Sequence, residues 1–154
     1  MIETNVESSQ RYQALLQLLR TSEDIWNASR IFFGRWDLSA SQFNVLNLLF
    51  DMTEGCNQIE LSRLLIMHRS NATGLIDRLE ARELLQRKPI AGDRRAHQVV
   101  LTAAGRKLVR DIRPEYYRSA QKVWDTLSDS RVAQVMNDLS QVSSNIKTIE
   151  TTLK

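Results

Sequence analysis

Ile59-Glu60-Leu61-Ser62-Arg63-Leu64-Leu65, then Arg69-Ser70-Asn71-Ala72-Thr73-Gly74-Leu75-Ile76-Asp77-Arg78-Leu79-Glu80, then Leu85-Gln86-Arg87-Lys88-Pro89 and Gln98-Val99-Val100-Leu101: the order of these segments decides the fold. The first is a short amphipathic segment. A turn of three or four residues leads to a second helix, expected over Arg69 to Arg82, whose outer face is small and polar. The last two segments read as the strands of a basic hairpin with Gly92-Asp93-Arg94-Arg95 at its tip. Helix, turn, helix and an arginine-loaded two-stranded wing are the layout of a DNA reader.

Charge supports that layout. The chain carries a formal net charge of only +3. Residues 60–113 hold 12 Lys and Arg against six Asp and Glu, a local charge of +6, while the remainder carries −3. A solvated charged face has no reason to segregate by segment, whereas a field aimed at a polyanion does. An RNA-binding domain would need exposed aromatics on the basic face for base stacking, and none is present there. With 154 residues, 42% of them hydrophobic and 25% charged, the chain is expected to form one globular domain. The N-terminus lacks the basic and apolar regions of a signal peptide, and no apolar run approaches a membrane span. Cys56 stands alone, which fits a reducing compartment. The expected location is cytoplasmic, with no membrane partner.

Flanking segments extend the helical pattern. Tyr12, Leu15, Leu16, Leu19, Ile25, Trp26, Ile31 and Phe32 recur at helical spacing. Ser39-Ala40-Ser41-Gln42 reads as a capping box ahead of Phe43, Leu46, Leu49 and Phe50, and Asn57 with Glu60 as a weaker cap. Ala72, Ile76 and Leu79 make a buried stripe, leaving Ser70, Asn71, Thr73, Gly74, Asp77 and Arg78 outside it. Pro89 requires an edge strand, and Val99 and Leu101 are expected to face opposite to Gln98 and Val100. Thr102 reads as the cap of a helix from Ala103, which Pro114 should kink, and Ser128 marks the last helix. Val132, Val135, Met136, Leu139, Val142, Ile146, Ile149 and Leu153 run beyond what one small core can use. Both terminal helices therefore expose stripes that self-association would cover, unless the two pair within one chain.

The residue chemistry points to recognition rather than catalysis. Small or amide-bearing Ser70, Asn71, Thr73 and Gly74 can approach base edges; Asn71 suits adenine and the Thr73 methyl suits the thymine methyl. Arg69 could read guanine or bind phosphate. Arg78, Arg87, Lys88 and Arg94 fit backbone contacts, while Arg95 at the tip fits a narrow minor groove. Cys56 lies next to Glu54, an acid that raises a thiol's pKa, so a redox role is disfavoured. His68, His97 and Cys56 lack metal-ligand spacing, and no nucleophile–base pair, phosphate loop or carboxylate pair appears. No enzyme activity, catalytic residue, cofactor or metal is expected.

The helix Arg69–Glu80 resembles the recognition helix of MarR-type winged-helix regulators. Asp93-Arg94-Arg95-Ala96-His97-Gln98-Val99-Val100-Leu101-Thr102-Ala103-Ala104-Gly105 resembles their wing signature, with Asp-x-Arg, a strand, Leu-Thr and Gly. Nearly the whole chain shares the resemblance, including Leu38-Ser39 and Leu127-Ser128 ahead of helices. It implies a mainly α fold with a small two-stranded β wing. Residues 1–35 and 103–154 would form dimerisation helices and 36–102 the winged helix-turn-helix lobe of a single domain. It also implies a homodimer on a pseudo-palindromic double-stranded operator, with Asp93 holding Arg95 in position. Repression relieved by a small aromatic effector, beside Trp26, Trp36 and Phe43, is the mode of control it suggests. The other reading the sequence leaves open is a winged-helix protein–protein interaction module without DNA binding. Three positions depart from the pattern. His68 stands at an N-cap where Ser or Thr is usual, although its imidazole can donate to phosphate. Glu83 replaces a glycine at the turn after the recognition helix, and Arg131 replaces the Glu of a capping box.

Overall fold

The structure, a computed structural model, describes residues 9–65, 72–90 and 93–152, apart from the side chains at 90 and 93–96. The elements follow as α1 (Gln10–Gly34), α2 (Ala40–Asp51), β1 (Cys56–Asn57), α3 (Gln58–Leu64), α4 (Ala72–Ala81), β2 (Leu85–Ile90), β3 (Asp93–Leu101), α5 (Ala103–Lys122) and α6 (Asp129–Thr152). The chain divides into two compact units, Met1–Arg110 and Asp111–Lys154. The mainly helical architecture expected from the sequence is the one observed.

Within the first unit, side chains capture free amides at the starts of α1, α2, α3 and α5. Ser9 accepts from the Tyr12 amide at 3.2 Å. At α2 the capping box closes in both directions, with Gln42 N to Ser39 Oγ at 3.1 Å and Ser39 N to Gln42 Oε1 at 2.8 Å. Asn57 Oδ1 accepts from the Glu60 amide at 2.8 Å to start α3. Thr102 Oγ1 accepts from Gly105 N at 3.0 Å and donates to the Glu83 carbonyl at 2.6 Å, which ties the start of α5 to the turn after α4.

The core forms where α2, α3, α4 and the sheet turn their apolar faces together. Val45, Leu46, Leu49, Leu61, Ile76, Leu79, Leu85, Val99 and Val109 are fully buried, each contributing about 1.5–3 kcal/mol by leaving water. Phe33, at the end of α1, stacks on Phe43 of α2 with ring centroids 4.5 Å apart. The stripe of α4 is wider than its spacing suggested, since Leu75 joins Ala72, Ile76 and Leu79.

The sheet differs from expectation. It has three antiparallel strands in the order β1-β3-β2, not two. Cys56 and Asn57 pair with Val99 and Gln98 on the open side of β3. The loop before β1 also covers Val100, which is buried rather than exposed. That approach depends on Gly55: its φ is +77°, and a Cβ there would lie 2.4 Å from both Val99 O and Val100 Cγ1. Pro89 sits on the edge strand β2 opposite His97, and the register slips between Pro89 and Ile90.

Glu83 does adopt the left-handed conformation, with φ +56°. Leu84 N reaches back to Leu79 O at 3.0 Å and Glu83 N to Glu80 O at 2.8 Å, the paired bonds of a Schellman C-cap. The same motif ends α1, where Asp37 has φ +52° and Leu38 N donates to Phe33 O at 3.2 Å. Gly105 is required for packing: a Cβ there would lie 1.9 Å from the Leu84 carbonyl oxygen.

Helix α5 continues through Pro114 to Lys122. In the second unit, Arg113 lies over the Tyr117 ring at 5.8 Å. At the start of α6 the Ser128 hydroxyl turns to Ser130 Oγ at 3.0 Å, and Arg131 donates to Gln134 Oε1 at 2.9 Å in place of a capping box. None of the described residues of α6 is buried. No helix among the described residues is long and apolar enough to cross a membrane.

Candidate nucleic-acid interface

Burial of Ala72, Leu75, Ile76 and Leu79 turns the opposite side of α4 outward. Thr73, Asp77 and Arg78 are exposed there, with half-buried Gly74 between them. A Cβ built on Gly74 would meet only Arg78 Nη1, at 3.7 Å, so the Arg78 guanidinium lies back along the helix over the glycine. The helix thus presents a low surface with a cation at one side. His68, Arg69, Ser70 and Asn71, assigned to the same face by sequence, lie outside the described residues.

Two contacts that sequence reading missed hold this helix. Gln58, the first residue of α3, donates from Nε2 to Thr73 Oγ1 at 2.7 Å. The only sequence signal was an amide immediately after the Asn57 cap, where the register turns it toward α4. Arg87 makes the second contact, from β2. Its backbone amide donates to Glu80 Oε1 at 2.9 Å, Nη2 to Asp77 Oδ1 at 2.5 Å, and Nη1 to Glu80 Oε2. Partial burial pulls the Arg87 pKa down, but the hydrogen bonds and charges of Asp77 and Glu80 outweigh it and raise the pKa above its ordinary value. Arg87 therefore faces the carboxylates of α4, while its neighbour Lys88 is exposed and has no ion pair among those described.

The backbone of Asp93, Arg94 and Arg95 lies in β3, in the hairpin with β2, and their side chains fall outside the described set. Sequence reading also passed over Arg82, at the C-terminal end of α4. It donates to the Trp36 carbonyl at 3.2 Å and to the Asp37 carbonyl, and its guanidinium is 3.8 Å from the Asp37 carboxylate. These acceptors are at the end of α1, where a cation complements the unsatisfied carbonyls. Arg106 does the same after α2, reaching Phe50 O and Thr53 O at 3.4 Å.

The three aromatics assigned to an effector separate. Phe43 is in the core against Phe33. Trp36 packs on the Arg35 guanidinium, 4.4 Å from its ring centre, and on Phe32. Trp26 lines an open groove of about 280 Å³ together with Glu23, Asn27, Arg30, Ser39, Ala40 and Ser41. Cys56 is buried, and burial first, then the charge of Glu60, push its thiol pKa up despite a hydrogen bond from the Leu61 backbone. The direction matches the sequence reading, but the acid is Glu60 rather than Glu54.

Residues 38–97 match the model of the MarR family. The chain is 28% identical over 120 residues to the HTH-type transcriptional regulator PapX of Escherichia coli, covering 77% of this chain and 73% of that protein. Among solved structures, the MepR–DNA complex of S. aureus superposes with a TM-score of 0.76 at 22% identity, covering 87% of this chain and 97% of that one. CouR of Rhodococcus jostii, solved bound to p-coumaroyl-CoA, gives a TM-score of 0.76 at 24% identity, over 88% and 94%. At these identities the two structures show the fold.

Proposed function

We propose that this chain, whose residues 38–97 match the MarR family model, is a MarR-type regulator that controls transcription by binding a pseudo-palindromic DNA operator as a cytoplasmic homodimer. Helix α4 lies in the major groove and the β2–β3 hairpin reaches toward the adjacent minor groove, with Arg95 near its turn in β3. The observation that carries this reading is the outer face of α4. Thr73 and Gly74 form a surface low enough to meet base edges, flanked by a hairpin whose sequence holds Lys88, Arg94 and Arg95 beyond the ion-paired Arg87. A winged module that only bound proteins would gain nothing from concentrating +6 in residues 60–113.

Dimerisation is supported by what the helices leave uncovered. Met136, Leu139, Val142, Ile146 and Ile149 recur at helical spacing along α6, and Leu15, Leu19, Ile25 and Ile31 along α1, all exposed. Control by a small aromatic effector is supported by the groove beside Trp26, where an indole face and Arg30 suit an aromatic ring bearing an acid. Repression follows if operator occupancy blocks transcription and the effector binds the DNA-incompetent dimer better.

Sequence selection from random duplex DNA by the purified protein, with its mass measured by light scattering, tests the reading. The expected outcome is an inverted repeat with half-sites about one helical turn, ~34 Å, apart, bound by a species of twice 17.8 kDa. A monomer, or no enrichment of any duplex, would refute it.

A further inference from the structure

We propose that Gln58 of α3 is a specificity-positioning residue, holding Thr73 of α4 so that its methyl group, not its hydroxyl, reads a thymine in the major groove. The inference rests on the DNA-binding reading above. A helical threonine divides its χ1 between two rotamers, because its hydroxyl can return to a backbone carbonyl one turn earlier. Here the hydroxyl oxygen accepts a 2.7 Å hydrogen bond from Gln58 Nε2, which selects one rotamer. Gln58 is itself placed by the Asn57 cap, which fixes the first turn of α3, and by β1, which anchors Asn57 to Gln98. With the hydroxyl drawn toward α3, the methyl is the free end of an exposed side chain. Its neighbour on the face is Gly74, which adds no side chain of its own, only the Arg78 guanidinium lying near it. In the major groove thymine alone offers a methyl group, at C5, so a fixed methyl on the protein discriminates by apolar contact.

The test replaces each thymine of the selected operator, one symmetric pair at a time, with deoxyuridine, which removes only the C5 methyl. The parent should lose about fourfold in affinity per half-site at one position, the ~0.8 kcal/mol of one buried methyl. Thr73→Ser keeps the hydrogen bond but lacks the methyl, and should bind thymine and uracil operators alike. Gln58→Ala releases the rotamer and should reduce the discrimination to roughly 2.5-fold as the two wells refill equally. Thr73→Val carries a methyl in either rotamer, so the Gln58→Ala/Thr73→Val double variant should regain the full discrimination, which a merely structural tie between α3 and α4 would not produce. Full discrimination by Gln58→Ala, or persistent discrimination by Thr73→Ser, overturns the proposal while leaving DNA binding intact. Failure of the parent to bind any duplex overturns the functional reading as well.

Discussion

Replacing Arg87 with Met keeps most of the volume of the side chain and removes the cation that joins β2 to α4. The cost can be worked from the contacts. The Arg87 side chain is 25% exposed, Glu80 36% and Asp77 57%. Charge-assisted hydrogen bonds contribute about 1.5–3 kcal/mol when buried, and exposed ion pairs about 0.2–1. The half-buried pair with Glu80 therefore contributes about 1 kcal/mol and the wetter pair with Asp77 about 0.5. Arg87→Met should lower stability by about 1.5 kcal/mol, a fall in Tm of about 3–6 °C for a chain of this size. The backbone bond from Arg87 N to Glu80 survives the substitution, so α4 should stay docked. Urea unfolding of Arg87→Met, Asp77→Asn/Glu80→Gln and the triple variant forms a double-mutant cycle. The triple variant should be no less stable than Arg87→Met, because no carboxylate is left unpaired. The cycle has a counterpart in DNA binding. A direct phosphate contact adds about 0.9 to the slope of log affinity against log salt concentration. With its guanidinium committed to Asp77 and Glu80, Arg87 should add much less, and the slope should survive Arg87→Met. Additivity within about 0.4 kcal/mol together with a slope reduced by a full phosphate contact would refute the clamp and make Arg87 a backbone contact.

Two further outcomes test the local physics. Glu83→Gly should stabilise the protein by about 0.5–1 kcal/mol, since removing the Cβ relieves the left-handed strain by more than the added freedom of the unfolded chain costs; a urea midpoint that falls would refute this. Cys56 should resist alkylation at pH 8 in the folded protein and react on unfolding. Because its folded pKa is raised from the ordinary 9.0, the unfolded state sheds the proton first as pH climbs past that value. Parent stability should therefore drop more steeply than that of Cys56→Ala between pH 8 and 10.5, and parallel curves would count against the burial effect.

What the sequence determined by itself was local or periodic. Ser39 with Gln42, Asn57 with Glu60, and Thr102 ahead of Gly105 are caps whose donors and acceptors lie three residues apart, so each is complete within its own segment. The apolar stripe of α4 and the edge position of Pro89 follow from helical and strand periods in the same way. At Glu83 the resemblance put a glycine, which made the left-handed turn less easily formed there; the structure forms it nonetheless, because the Schellman bonds need that conformation whichever side chain stands there. Contacts made across the fold were decided only by the tertiary structure. Strand β1 has two residues and no signal of its own; it is a strand because β3 leaves an open edge beside it and Gly55 lets the chain approach. Arg87 looked like a free cation of the wing until the hairpin carried it onto Asp77 and Glu80, ten and seven residues back. Gln58 and Thr73 are 15 residues apart, and neither residue type announces the other. A cap is satisfied by neighbours that the chain cannot separate, whereas an ion pair or an edge strand exists only after packing has brought its partners within reach.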